Sequence, residues 1–286
     1  MSTSATSPPT LDDRQFELAV RRLADALQYG SDASPFLGSG LDYAQSRRYE
    51  PGDSVRSIDW RLTARTGKPY VKEYEAPKQM ATWLLVDDSG SMGVSSLRAS
   101  GPSKWQWTTM LAGALGLTAL RRSSPVGVMS ATGLRRDPSL SRASLHGWLG
   151  PMRRRPAAGA ASLGEVLRFA VPTLTNRANL IVLSDLHDPA LLGAATLAAE
   201  KHDVIVLRLQ DPAERGAIGG GIFRAEEAET GAGFVATGHS RFGLDTVPHD
   251  LRRAGIDHMD LPTDGHWVPA LRQFLAGRAR RAGRGR

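Results

Sequence analysis

The sequence predicts an α/β protein: a doubly wound, mostly parallel sheet with a small β-rich addition. Three observations carry this reading. Short runs that are apolar almost throughout, at 82–86, 179–184 and 203–209, read as strands buried on both faces. Between them lie segments with helical spacing: Leu163, Val166, Leu167, Ala170, Val171 and Leu174 fall at i, i+3, i+4, i+7, i+8 and i+11. Strands alternating with helices imply parallel pairing under helices on both faces. A chain of 286 residues, 41% hydrophobic, can bury the core such a sheet needs.

Taken in order, residues 1–12 are expected to be disordered. Residues 13–78 make an N-terminal helix and a β-rich element. The helix spans 13–29, with Phe16, Leu18, Ala19, Leu23 and Leu27 among its apolar positions, and a glycine- and serine-rich loop follows at 30–40. The stretch 43–75 mixes turns, such as Glu50-Pro51-Gly52-Asp53, with strand-like pieces near Tyr70 to Tyr74. The main domain covers 79–278. Its strand at 82–86 leads to a helix at 103–122, apolar on most faces and therefore buried. A strand at 126–130, a basic hairpin-like region and a short helix at 144–149 come next. After the strand at 179–184, Asp188 caps a helix with Pro189 in its first turn. The strand at 203–209 precedes a small β excursion at 211–241, rich in Gly and Glu. A helix at 247–254, a strand at 256–261 and a helix at 267–278 complete the domain, and 279–286 form a basic, disordered tail.

Composition removes several function classes. The chain has no cysteine, which excludes disulfides and thiolate metal sites and fits a reducing, cytoplasmic setting. No apolar run approaches the roughly 20 residues that span a bilayer, and the N-terminus lacks the charged start and apolar core of a signal peptide. The net charge of +7 is concentrated: five arginines lie in the last ten residues. A second basic cluster, Arg153-Arg154-Arg155, is placed in a loop. An arginine-rich terminus can bind nucleic acid, but no RNA-binding motif or aromatic interleaving accompanies it, so it reads as a solvated end.

The chemistry concentrates at Asp87-Asp88-Ser89-Gly90-Ser91, directly after a buried strand. A carboxylate and two hydroxyls at alternating positions on a turn can converge on one hard divalent cation. The same residues are all turn formers, so an ordinary turn is the competing reading. Asp185 follows the strand at 179–184. In open α/β sheets, ligands bind beyond the carboxyl ends of strands where strand order reverses. If the two strands are neighbours, Asp87, Ser89, Ser91 and Asp185 face one another across one crevice. No Gly-x-Ser-x-Gly and no phosphate-binding Gly-x-x-x-x-Gly-Lys run is present.

These residues carry a resemblance. Asp87-x-Ser89-x-Ser91-Met92 after a buried strand resembles the metal-ion-dependent adhesion site of von Willebrand factor type A domains, and Asp185 fits that fold's distal aspartate. The segment from Arg48 to Trp60, with Thr63-Ala64-Arg65, Val71-Lys72-Glu73, Asp211-Pro212-Ala213-Glu214 and Glu229-Thr230-Gly231, is similar to bacterial domain-of-unknown-function family 58. The resemblance covers most of 20–280. It implies a von Willebrand type A core, Rossmann-like in its sheet, with a small β-rich addition. Association with MoxR-type AAA+ ATPases in chaperone-like assembly or maturation is implied too. One departure stands out. Family members often carry Gly-Gly-Thr-Asp-Leu before the next helix, and its threonine contacts the metal. Here Gly159-Ala160-Ala161-Ser162-Leu163 puts Ala161 in that place. Ser162-x-x-Glu165 is instead a capping box that occupies the serine hydroxyl. The site is therefore expected to hold its ion weakly or with a partner's help.

Arg48, Asp53, Arg56, Asp59 and Arg65 have two readings: a partner-binding surface, or an ion-pair network tying the β-rich element to the core. Tyr49, Ile58 and Trp60 beside them look like packing residues, which favours the network. The histidines show no metal-ligand spacing, and His187 reads as an exposed loop residue. The expected function is a non-enzymatic adaptor. Asp87, Ser89, Ser91 and Asp185 would hold Mg2+, or else Mn2+ or Ca2+, and capture a protein partner, a MoxR-type ATPase or its client. The alternative is a metal-dependent hydrolase at the same site, with Asp88 or His187 as the base.

Overall fold

The computed structural model describes residues 11–28, 42–75, 80–93, 95–96, 102–154, 161–215, 222–226, 233–237 and 247–284. The terminal segment 1–10 and the loop at 30–40, both given expectations above, lie outside them.

The first helix, α1 (Asp13–Gln28), buries Phe16, Val20, Leu23, Ala24 and Leu27. Leu18 and Ala19 fall off this stripe, and Leu18 is exposed. Next come β1 (Asp42–Arg48), a short helix α2 (Trp60–Thr66) and β2 (Tyr70–Glu75), which pairs antiparallel with β1. The expected β-rich addition is thus a two-stranded ribbon carrying a helix. Asp59 starts that helix by accepting from the Leu62 amide, and Gly67 ends it at φ 68°, a left-handed position open to glycine.

The main sheet begins at β3 (Thr82–Val86), buried along its whole length. Helix α3 (Lys104–Arg121) follows, opened by a reciprocal capping box between Ser103 and Gln106. Strand β4 (Val126–Ser130) turns into the antiparallel edge strand β5 (Arg135–Ser139). Helix α4 (Arg142–Arg154) runs longer than its sequence suggests. Arg153 and Arg154 therefore sit in its last turn, not in a loop, with Arg153 stacked over Phe16 and paired with Asp13 at 2.7 Å. Helix α5 (Leu163–Ala170) gives way to a tighter turn at Val171–Thr173. Then come β6 (Asn179–Ser184), α6 (Pro189–Ala199) and β7 (Asp203–Gln210). The excursion is an antiparallel pair, β8 (Ile222–Glu226) and β9 (Gly233–Thr237). Helix α7 (Val247–Arg253), β10 (Asp257–Pro262) and α8 (Val268–Arg284) complete the order. The last helix continues into the supposed tail, and Arg278 is bound to Asp203 at 2.5 Å and to Asp257.

The six-stranded sheet has the order β10-β7-β6-β3-β4-β5, parallel except for β5. Two apolar cores cover its faces. One joins α1, α3, α4 and α8 to Leu84, Val86 and Ile181. The other joins α5, α6 and α7 to Trp83, Leu85 and Val182. From β3 the chain passes to β4 on one side and then returns to β6 on the other. The strand order therefore reverses at the β3/β6 boundary, and in open α/β sheets ligands bind beyond the strand ends at such a point.

Candidate functional site

Strand β3 delivers Asp87 to that boundary. The ladder runs one residue past the strand, the Asp87 amide donating to Leu183 O at 2.9 Å. The chain then tightens: the Ser89 amide donates to Asp87 Oδ1 at 3.1 Å, and Gly90–Gly93 form a short 3-10 turn. This brings Ser89 Oγ within 3.1 Å of Ser91 Oγ. All three side chains are buried. Asp88 points elsewhere, accepting from the Thr132 amide at 2.8 Å and its hydroxyl at 2.5 Å. It fastens the β4–β5 turn.

Strand β6 supplies the opposite wall. Ser184 donates to Asp87 Oδ2 at 2.6 Å, and Asp185 comes next in the chain. Leu186 is held at φ 64°, a conformation that costs an L-residue about 1–2 kcal/mol, with its side chain buried. That kink returns His187 toward Asp185, with Nδ1 3.3 Å from Oδ2. His187 is therefore a partner of the site, not an exposed loop histidine.

The residue that sequence reasoning missed is Lys104, at the first position of α3. It is 1% exposed, its Nζ lies 2.6 Å from Asp185 Oδ2, and it also pairs with Glu214. Glu214 stands in the turn after β7, where its Oε2 accepts from the Asp211 amide at 3.0 Å. Asp211 in turn holds Ser96, through the backbone amide at 2.9 Å and through the hydroxyl. The loop after the serines is thus tied to the end of β7. A lysine at the start of an otherwise apolar helix was the available signal. Asp211-Pro212-Ala213-Glu214 at a strand end was another.

The charges are arranged unevenly. Burial, and then the charge of Asp185, push the Asp87 carboxyl up to about 6. Among the described residues no cationic side chain pairs with it. Burial would also raise Asp185, but the His187 hydrogen bond and the Lys104 charge hold it far below the usual carboxylate range. Burial lowers Lys104, and Asp185 and Glu214 more than reverse that. His187 is raised by its bond to Asp185.

The four residues expected at the site, Asp87, Ser89, Ser91 and Asp185, lie together just beyond the ends of β3 and β6. Their oxygen-only donors suit Mg2+, Mn2+ or Ca2+. The fit is best on the β3 side, because Lys104 already neutralises Asp185. Ligand atoms of Asp185, His187 and Glu214 lie within 4.8 Å of one another, and the Lys104 ammonium bonds to two of the three. Ala161 offers no donor. Ser162 accepts from the Glu165 amide at 3.0 Å and donates to Asp188 at 2.9 Å, so its hydroxyl is committed. Asp188 also accepts from the Gly164 and Ala190 amides, at 2.8 and 2.9 Å. One carboxylate thereby starts both α5 and α6. Gly164 lets those helices meet: a Cβ there would lie 2.4 Å from the carbonyl carbon of Ala190.

Fold and site together define a mixed α/β protein with a buried cluster of carboxylates and hydroxyls at the reversal point of a mostly parallel sheet. The chain belongs to the family described as "Protein of unknown function DUF58", whose model matches residues 45–242. Its relatives include the uncharacterized proteins Rv1480 of Mycobacterium tuberculosis and Mb1516 of Mycobacterium bovis. Each is 26% identical over 293 residues, covering 94% of this chain and 89% of the relative. Among solved structures, the conserved hypothetical protein BatB from Bacteroides thetaiotaomicron is similar at 15% identity and a TM-score of 0.46. That match covers 70% of this chain and 99% of that one. The Deinococcus radiodurans RO (RSR) protein matches at 17% identity and a TM-score of 0.37, covering 97% of this chain and 50% of that one. Likeness this loose says nothing about the site. Among the described residues no helix is long and apolar enough to cross a membrane.

Proposed function

We propose that the chain is a non-enzymatic adaptor of the von Willebrand type A kind, working in the cytoplasm. Asp87, Ser89 and Ser91 would hold a divalent cation, Mg2+ first, directly or through water, with Asp185 as the far wall. When bound, the ion supplies an open coordination position for a partner's carboxylate. The observation that carries this reading is Asp87: a buried carboxylate flanked by two hydroxyls, facing a second carboxylate, with no cation of its own among the described residues. Family membership and the resemblance of its motifs favour a MoxR-type AAA+ ATPase, or its client, as the partner. Both side chains considered as a base for hydrolysis are engaged, Asp88 by Thr132 and His187 by Asp185, which favours binding over turnover.

The test is titration of Mg2+ and Mn2+ into the purified protein, read by melting temperature and by capture of a co-expressed MoxR-type ATPase. The expected result is cation-dependent capture that is lost with EDTA and in Asp87→Ala plus Ser89→Ala. Capture unchanged in that double variant would refute the metal bridge.

A further inference from the structure

The ribbon β1–β2 and its helix α2 carry a surface the candidate cation site does not use. Residues 46–72 hold seven basic and three acidic side chains. Two of the acids are consumed internally. Asp53 accepts from Arg47 at 2.7 and 2.8 Å, and Asp59 from the Leu62 amide and the Ser46 hydroxyl, each at 3.0 Å. Arg48, Arg56, Arg61, Arg65 and Lys68 are exposed and make no ion pair among the described residues. The helix is anchored by its inner side: the Tyr70 amide donates to Thr63 Oγ1 at 3.0 Å, and Ile58 bridges Val71. Its outer face is Trp60, Arg61, Ala64 and Arg65. Trp60 is 65% exposed and Val55 nearby in sequence 62%, so Trp60 is not the packing residue its neighbours suggested.

Arg61 and Arg65 stand four residues apart on one face, a like-charge spacing that destabilises a helix. Tryptophan and arginine together are the side chains most enriched where protein partners bind tightly. Arginine forks match carboxylates in pairs. Single-stranded nucleic acid, by contrast, is held by successive stacked aromatics along a basic groove. Tyr49 and Tyr70 are half-buried, which leaves Trp60 as the exposed aromatic among this element's described side chains.

We propose that this α2 face is a second docking surface, for an acidic protein segment whose carboxylates flank one apolar side chain seated on Trp60. It acts independently of the cation site.

The probe is a short fluorescein-labelled peptide, rich in glutamate around one phenylalanine, titrated with the full chain and read by anisotropy. Saturable binding is expected, lost when the glutamates are replaced by glutamine and unchanged by EDTA. Affinity should fall about tenfold in Trp60→Ala and at least as far in Arg61→Glu plus Arg65→Glu. These residues are exposed, so circular dichroism of each variant should match the parent. Equal binding by parent and variants overturns the proposal. So does tighter binding of an oligothymidine with the same variant dependence, which assigns the face to nucleic acid. Self-association abolished by Trp60→Ala, seen by sedimentation, overturns it in favour of a second copy.

Discussion

Asp87 and Asp185 directly follow the neighbouring strands β3 and β6, yet they live in opposite electrostatic surroundings. The β6 side has its cation built in, since Lys104 and His187 hold Asp185 ionised. The β3 side has hydroxyls and amides only, and Asp87 is held up at about 6. Sheet topology therefore places both carboxylates, but the helix and loop beyond each strand decide its charge. A cation bound between them would relieve Asp87 far more than Asp185.

The largest expected effect comes from removing the built-in cation. Lys104→Met should cost about 3–5 kcal/mol, because it takes the buried ammonium from Asp185 and Glu214 and leaves them His187 alone. Mg2+ should then recover part of the lost melting temperature, and raise it more than in the parent. Equal responses would mean that Lys104 and the added cation serve separate carboxylates. The next effect has the opposite sign. A carboxyl whose folded pKa is raised contributes its stability below about pH 4 and loses it as pH rises through about 6. Asp87→Asn should therefore stabilise the cation-free protein by about 2–3 kcal/mol at pH 8, and by little at pH 4. Chemical denaturation at the two pH values measures this, and no gain at pH 8 would show that Asp87 is already compensated.

Smaller effects lie at the starts of α5 and α6. Asp188→Ala removes the cap shared by α5 and α6 and should cost about 2 kcal/mol in urea unfolding. Ser162→Ala should cost about 1 kcal/mol and leave the response to Mg2+ unchanged. A weakened Mg2+ response in Ser162→Ala would return that hydroxyl to the site.

The parts legible in the sequence were those set by local pattern. β3 and β6 are apolar through their middles and buried from end to end because both faces are covered, and α5 shows its stripe at helical spacing. The juxtaposition of Asp87 and Asp185 followed from strand order, and the commitment of Ser162 to its helix followed from capping chemistry. Part of what escaped depends on distant chain segments. Lys104 meets its partners 81 and 110 residues away, and a lone lysine otherwise reads as surface. Helix α2 has no apolar stripe and owes its existence to Asp59 and Gly67. β5 is the second arm of the expected basic hairpin, and its bounds alone escaped, because a strand broken by Pro138 is one only an edge tolerates.

The family match stops short of the folding unit. Helix α1 lies before residue 45, and β10 and α8 lie after 242, yet α1 and α8 fill one core and β10 zips the open side of β7. A fragment trimmed to the matched span would uncover the greasy back of α3 and leave β7 with bare backbone groups along one flank. Such a piece is a template for aggregation. Soluble expression should therefore track the presence of these outer helices, whatever is done to Asp87 and its neighbours.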